Sequence, residues 1–159
     1  MGGWPGALTL VAAVGAGVSG GALLAFSTFV MRALRRLPDR DGLRAMQEIN
    51  RAAPQPLFML FLFGTALVCL VLGVSAATRL DDPVARWQLA GCAVDVAATL
   101  VTVAWHIPRN DALALVDPSS PEAAGTWRRY AATWTAWNHV RTAGCIASAV
   151  LLTLGVRAG

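Results

Sequence analysis

Four long apolar runs, separated by arginine-rich or polar connections, constrain the fold of this chain more than any other feature. The runs cover residues 6–31, 56–78, 87–107 and 135–156. A helix needs about 20 residues to cross a hydrocarbon core of about 30 Å, and each run is long enough. The pattern therefore predicts an integral membrane protein, all-α, in which the four spans form a four-helix bundle.

The four runs and their connections take up almost all of the 159 residues, so we expect a single domain over 1–159. The first run has no basic segment before it and is too long for the apolar part of a signal peptide, so we interpret it as a retained helix. The net charge of +4 would fit nucleic-acid binding in a soluble protein. Here the arginines lie beside the spans, which is typical of membrane topology. We therefore expect contact with membrane lipid and no nucleic-acid partner.

The distribution of arginine predicts the orientation of the bundle. The first and third connections carry nine arginines, whereas the second connection and the C-terminus carry three. Arginine-rich connections usually face the cytoplasm. The sequence therefore predicts a multi-pass protein of the cell membrane, with the first and third connections in the cytoplasm and both termini on the outer side.

The first connection is expected to contain a short interfacial helix. Residues 41–53 can form a helix that carries Leu43, Met46 and Asn50 along one side. Pro54 follows directly, and proline ends a helix because it lacks the backbone N–H and restricts the residue before it.

The third connection is expected to contain another short helix. Ser120 can cap a helix whose first residue is Pro121. Trp127, Tyr130 and Trp134 then follow at helical spacing and form one aromatic stripe. Such a helix can lie at the membrane interface or cover a cavity inside the bundle, and both interpretations stay open at this stage.

Polar side chains concentrate at the cytoplasmic ends of the spans. They are Asn50, His106, Asn110, Asn138, His139 and Arg141. Four helices joined by short turns pack as neighbours, so these groups can converge at one mouth of the bundle. Bundle interiors are frequent ligand sites. Trp134 and Trp137 lie at the same level and can stack on a flat ligand, although tryptophan is also a common interfacial anchor.

His106 and His139 are the two histidines of the chain. Histidine is the natural acid or base near neutral pH, but a structural hydrogen bond or a metal ligand is open for each. Pro108, two residues after His106, either ends the third span or breaks it beside a wet cavity.

Asp95 is the one carboxylate well inside a span. Such a residue can serve as a proton or ion relay, or it can be a protonated acid bonded to a hydroxyl or glycine carbonyl of the first helix. Cys69, Cys92 and Cys145 also lie within spans, and we interpret them as small apolar residues.

Several stretches together resemble the anthrone oxygenase-like family of small four-span membrane proteins. The most specific are residues 106–113, which read HIPRNDAL, and 134–142, which read WTAWNHVRT. Residues 26–34, 46–51 and 63–66 extend the resemblance over nearly the whole chain.

The resemblance implies an oxygenase that uses O₂ on a small lipophilic, anthrone-like aromatic substrate without a cofactor or metal, because the substrate anion can itself reduce O₂. From the chemistry of the residues, either histidine would serve as the catalytic base. Arg141, Asn138 and Asn110 would stabilise the oxyanion. Asn50, Trp134 and Trp137 would complete the substrate site.

Two alternatives remain open. The chain can be a non-enzymatic membrane protein that binds or passes a small lipophilic molecule. It can also be a metal- or haem-binding redox protein that uses His106 and His139 as ligands. The sequence does not predict the oligomeric state.

Overall fold

A computed structural model describes residues 3–158, and this part of the chain folds as helices without a strand. The elements are α1 (Trp4–Leu34), α2 (Asp39–Ala52), α3 (Pro56–Ala77), α4 (Pro83–Ala114) and α5 (Ala123–Ala158). All but α2 are long and apolar enough to cross a membrane. This confirms the predicted all-α fold with four potential spans. The chain ends lie outside the described residues, and the orientation of the bundle stays a prediction.

The four long helices form an up-and-down bundle in which each helix has two main neighbours. α5 packs along both α1 and α4, while α3 packs mainly against α4 and also against α1. We call the end where α1 begins and α5 ends the terminal half. The opposite end, which carries α2 and the connection from α4 to α5, is the connection half.

Small residues let the helices of the terminal half approach closely. A Cβ atom added at Gly91 would lie 2.7 Å from the Leu152 side chain, and one at Gly15 would collide with Thr65. Close contact of this kind is a main source of helix association where lipid, rather than water, surrounds the bundle.

The first connection contains a helix, α2, that packs on the bundle through its apolar side. Leu43 and Met46 are fully buried, in one cluster with Met31 and Trp127. A Cβ atom at Gly42 would lie 2.7 Å from the carbonyl oxygen of Leu34, so only glycine fits at this crossing. α2 begins two residues earlier than the predicted helix over 41–53 and ends one residue earlier. Its interfacial position stays a prediction.

The third span, which is α4, neither ends nor breaks at Pro108. It continues to Ala114, and a π-helical turn over Thr102–His106 precedes the proline. Proline cannot donate to the carbonyl four residues earlier. In a π turn the hydrogen bonds reach five residues back, so the change of register accommodates the missing donor without interrupting the helix.

The fourth span is also longer than the predicted 135–156. Ala123–Ala158 form one helix of 36 residues, so the short helix expected from Pro121 is the first part of α5 rather than a separate element. The aromatic stripe of Trp127, Tyr130 and Trp134 is buried. It packs inside the protein because α2 and the end of α4 cover it.

Candidate functional site

A cavity of about 300 Å³ lies in the connection half, between α1, α2, α3, α4 and α5. Three π turns border it: Phe26–Val30 in α1, Leu60–Gly64 in α3 and Thr102–His106 in α4. Isolated π turns inside α-helices are frequent at functional sites, because they shift side chains away from the regular helical register. Three such turns around one space mark it as the candidate site.

The cavity wall is mostly apolar and rich in aromatic rings, including Phe26, Phe58, Phe63 and Trp134. Its polar members are Asn50, Thr102, His106, Asn110, Asp111 and Arg141. An apolar space with a few convergent polar groups is the usual form of a site for a small molecule. The shared face of α4 is visible in the sequence, because Thr102, His106 and Asn110 follow one another at intervals of four residues.

Arg141 contributes a buried positive charge to this cavity. The residue is 7% exposed, its Nε donates to Asn138 Oδ1 at 2.9 Å, and its Nη1 donates to Thr102 Oγ1 at 3.2 Å. No ion pair within residues 3–158 includes it. A guanidinium has five N–H donors, so donors remain free beside the cavity. A buried charge without a counter-charge is costly, and an anionic ligand would offset that cost.

Asn138 is hydrogen-bonded to α1 and accepts a hydrogen bond from Arg141. It is fully buried, and its Nδ2 donates to the Leu23 carbonyl at 2.9 Å and to Ser27 Oγ at 2.8 Å. These donations leave Oδ1 to accept from Arg141. Asn138 does not line the cavity. It contacts the cavity-lining Arg141 instead, whereas the sequence interpretation had it contacting the ligand directly.

His106 is 1% exposed and lines the cavity. Its Nδ1 lies 3.4 Å from the Val101 carbonyl oxygen, and its Nε2 has no hydrogen-bond partner among the described residues. A carbonyl can only accept, so this contact favours the tautomer with the proton on Nδ1. The lone pair on Nε2 is then free to accept a proton.

Trp134 connects the histidine and the arginine. Its ring meets the His106 ring edge-on, with 5.1 Å between centroids, and the Arg141 guanidinium carbon lies 5.3 Å from the centroid of the same indole. The imidazole and the guanidinium therefore border the same part of the cavity.

Asn110 is oriented by two donors on α5. Tyr130 Oη donates to Asn110 Oδ1 at 2.8 Å, and Trp134 Nε1 donates to the same oxygen at 3.0 Å. Indole nitrogen can only donate, so the amide oxygen must face α5 and the amide NH₂ group is left as a donor. Asn50 Nδ2 lies 3.4 Å from Tyr130 Oη and completes the chain. Sequence reasoning missed Tyr130 as a site residue, and the aromatic stripe was the signal that could have identified it.

His139 and Trp137 lie on the outward face of α5, away from the cavity. Trp137 packs on Trp105 with 4.7 Å between ring centroids, and the Arg109 guanidinium covers the Trp105 ring. The expected convergence therefore does not include His139 or Trp137. Each residue of a helix turns by about 100°, so the neighbours of Asn138 point elsewhere.

The two histidines do not face a common ligand position, because one lines the cavity and the other is exposed outside it. In the part of the chain that the structure describes, no group of three or more His, Cys, Asp or Glu side chains is arranged to hold a metal ion. The geometry gives no support to the alternative in which His106 and His139 jointly bind a metal or haem.

Comparison with known proteins supplies one match. Residues 58–151 match a family model described as anthrone oxygenase, which is more than half of the chain and includes both of the most specific stretches. No curated protein and no solved structure matches the chain.

Proposed function

Because the chain belongs to the anthrone oxygenase family, we propose that it is a membrane-embedded oxygenase that uses O₂ to oxidise a small lipophilic, anthrone-like aromatic compound. The observation that carries this assignment is the pairing of His106 with Arg141 in one apolar cavity, where His106 Nε2 has no hydrogen-bond partner and Arg141 no ion-pair partner among residues 3–158. Removal of a proton from carbon requires a base and a partner for the resulting oxyanion.

The first step is deprotonation of the substrate. The CH₂ group of an anthrone lies between two aromatic rings and is conjugated through them to the carbonyl, so loss of a proton places negative charge on the carbonyl oxygen. His106 Nε2 takes the proton. The oxyanion receives hydrogen bonds from the free donors of Arg141 and from the amide NH₂ group of Asn110. The aromatic walls hold the flat rings.

The second step is oxidation by O₂. The electron-rich anion gives one electron to O₂, and the resulting radical and superoxide combine to form a C–O bond. His106 returns its proton to the peroxide. The remaining C–H proton of that carbon then leaves as the O–O bond breaks and hydroxide departs, so that a C=O group and one water are formed. The carbon supplies all the electrons, so the reaction consumes one anthrone and one O₂ and yields an anthraquinone and water. The substrate thus performs the electron transfer that a cofactor supplies in other oxygenases.

The substrate reaches the cavity from the membrane. The exposed part of the cavity rim lies between Pro54, before α3, and Ile107 with Asp111 on α4. An apolar aromatic compound concentrates in the bilayer, so an opening between two spans suits it. From the arginine distribution, we place this end of the bundle at the cytoplasmic face of the cell membrane.

The two histidines provide a matched test. The detergent-solubilised protein is supplied with anthrone, and O₂ uptake is measured after subtraction of the spontaneous oxidation in the same detergent. His106→Gln should lower the enzyme-dependent rate by about 10²–10⁴-fold, the usual contribution of a general base. His139→Gln should leave it near the wild-type value, because its side chain lies outside the cavity.

Equal losses in the two variants, or full activity in His106→Gln, would overturn the assignment of His106. An absence of any enzyme-dependent O₂ uptake, together with quenching of tryptophan fluorescence by anthrone, would instead favour a protein that binds a lipophilic molecule without converting it.

A further inference from the structure

Two buried polar atoms near the middle of the bundle have no hydrogen-bond partner among the described residues. They are Asp95 Oδ2 on α4 and Ser148 Oγ on α5, in residues that are 2% and 0% exposed. Buried polar groups normally have a partner, because losing water without replacement is costly. The pair therefore requires an explanation that the cavity does not supply.

The register of the two helices places these atoms opposite one another. Gly91 packs against Leu152, and Gly144 packs against Ala98. Because α4 and α5 run antiparallel, Asp95, which lies between Gly91 and Ala98, faces the level of Ser148, which lies between Gly144 and Leu152. Yet no hydrogen bond joins the two side chains. Both atoms can be satisfied at this level if a third group bonds to each of them.

The pair is separate from the candidate site. Leu23, Ala98 and Cys145 form an apolar cluster next to it on the side of the cavity. Thr102, the first polar residue of α4 that lines the cavity, is seven residues after Asp95, which corresponds to about 10 Å along a helix. The mechanism proposed above uses neither residue of this pair.

The surroundings of Asp95 favour the neutral acid. No ion pair within residues 3–158 includes it, and an unpaired carboxylate inside a span is strongly disfavoured. A protonated carboxyl group offers one donor and an acceptor, and a serine hydroxyl offers one donor and two lone pairs. Together they can bind a small molecule that both donates and accepts hydrogen bonds.

We propose that Asp95 is a neutral carboxylic acid that, together with Ser148, holds one water molecule between α4 and α5. A buried water typically makes about three hydrogen bonds to groups that would otherwise lack a partner. One water between the carboxyl and the hydroxyl satisfies both atoms, which do not bond to each other directly.

Infrared spectroscopy of the intact protein in lipid tests both parts. The wild type should show a C=O stretch of a protonated carboxyl group that shifts in D₂O and is absent from Asp95→Asn. It should also show an O–H stretch of an isolated water that shifts in H₂¹⁸O. In Ser148→Ala the carboxyl band should move and the water band should vanish, whereas the control Thr153→Ala, an exposed position on α5, should change neither band.

A double-mutant cycle gives an independent measurement. Asp95→Leu and Ser148→Ala should each lower the Tm, because each leaves the remaining group and the water with fewer partners, and the double variant should lose less than the sum. Additive losses would overturn the bridge. A carboxylate band in place of the protonated one, with positions that depend on Na⁺, would also overturn the proposal and indicate a cation site. Neither outcome bears on the O₂ uptake measurement.

Discussion

The terminal and connection halves of this bundle are built from the same four helices, but the first is closely packed and the second encloses a cavity. In the terminal half, the helices remain α-helical, glycines allow close contact, and both ends of the buried Gln88 amide have a partner, with Nε2 donating to Thr9 and Oε1 accepting from Arg79. In the connection half, three π turns border a cavity lined by Arg141, which forms no ion pair with any other described residue. The difference teaches that dense packing at one end can support incomplete packing at the other.

The contrast extends to single polar side chains. Gln88 is 1% exposed, as is His106. The Gln88 amide both donates and accepts a hydrogen bond, whereas His106 Nε2 has no partner within residues 3–158. A buried polar atom without a partner costs about 1–3 kcal/mol. Violations of this kind are expected at functional sites, and His106 combines the unpartnered atom with a place on the cavity wall.

Arg141→Met should have the largest effect on activity of the variants considered, with only a small effect on stability. It removes the oxyanion partner, so we expect kcat/KM for anthrone oxidation to fall by about 10²–10³-fold. The free energy of unfolding should change by no more than about 1–3 kcal/mol, because the donors lost by Asn138 and Thr102 are offset by removal of an unpaired buried charge. The measurements are O₂ uptake and thermal unfolding. Arg157→Met, at the exposed end of α5, is the control and should change neither. An Arg141→Met protein with wild-type kcat/KM would contradict the assigned role.

Gly91→Ala tests the terminal half. The new Cβ atom would lie 2.7 Å from the Leu152 side chain and 3.3 Å from its backbone nitrogen. Overpacking of this kind typically costs about 1–3 kcal/mol, so the Tm should fall while the rate per folded molecule stays constant. Gly21→Ala is the matched control, because its added Cβ would have no atom of another helix within 4 Å. A lower rate per folded molecule in Gly91→Ala would show that the two halves are coupled.

Tyr130→Phe should have the smallest effect. It deletes the hydroxyl that donates to Asn110 Oδ1, but Trp134 Nε1 still holds that oxygen. We expect a loss of kcat/KM equivalent to about 0.5–1.5 kcal/mol, the net contribution of one hydrogen bond. Thr133→Val, an exposed position one turn further along α5, should leave the rate unchanged. If Tyr130→Phe matched the loss of Arg141→Met, Tyr130 would have to contact the substrate itself.

The sequence was sufficient for the overall fold because apolar length is a local property. Residues 56–78 were predicted as a span, and α3 covers Pro56–Ala77. Which side chains face the interior is not local in the same way. Asn138 and His139 are adjacent in the sequence and similar in polarity, but only Asn138 is buried. That choice depends on how α5 is rotated against α1 and α4.

Backbone irregularities were the second feature that the sequence did not fully predict. Pro108 correctly marked an irregularity in the third span, α4. The irregularity is a π turn over Thr102–His106 rather than an end or a break of the helix. Propensity rules describe what proline removes and not which neighbouring turn absorbs the loss. The π turns of α1 and α3, over Phe26–Val30 and Leu60–Gly64, contain no proline and had no sequence signal.

These π turns give the chain three points where its length can change without disturbing the fold. A π turn contains one residue more than the α turn it replaces. Loss of one residue within Thr102–His106 could restore an ordinary α turn, with both flanking segments still facing their present neighbours, whereas the same deletion near Val94 would rotate the rest of α4 by about 100°. Single-residue deletions at the π turns would therefore remodel the cavity wall while the bundle around it stays intact.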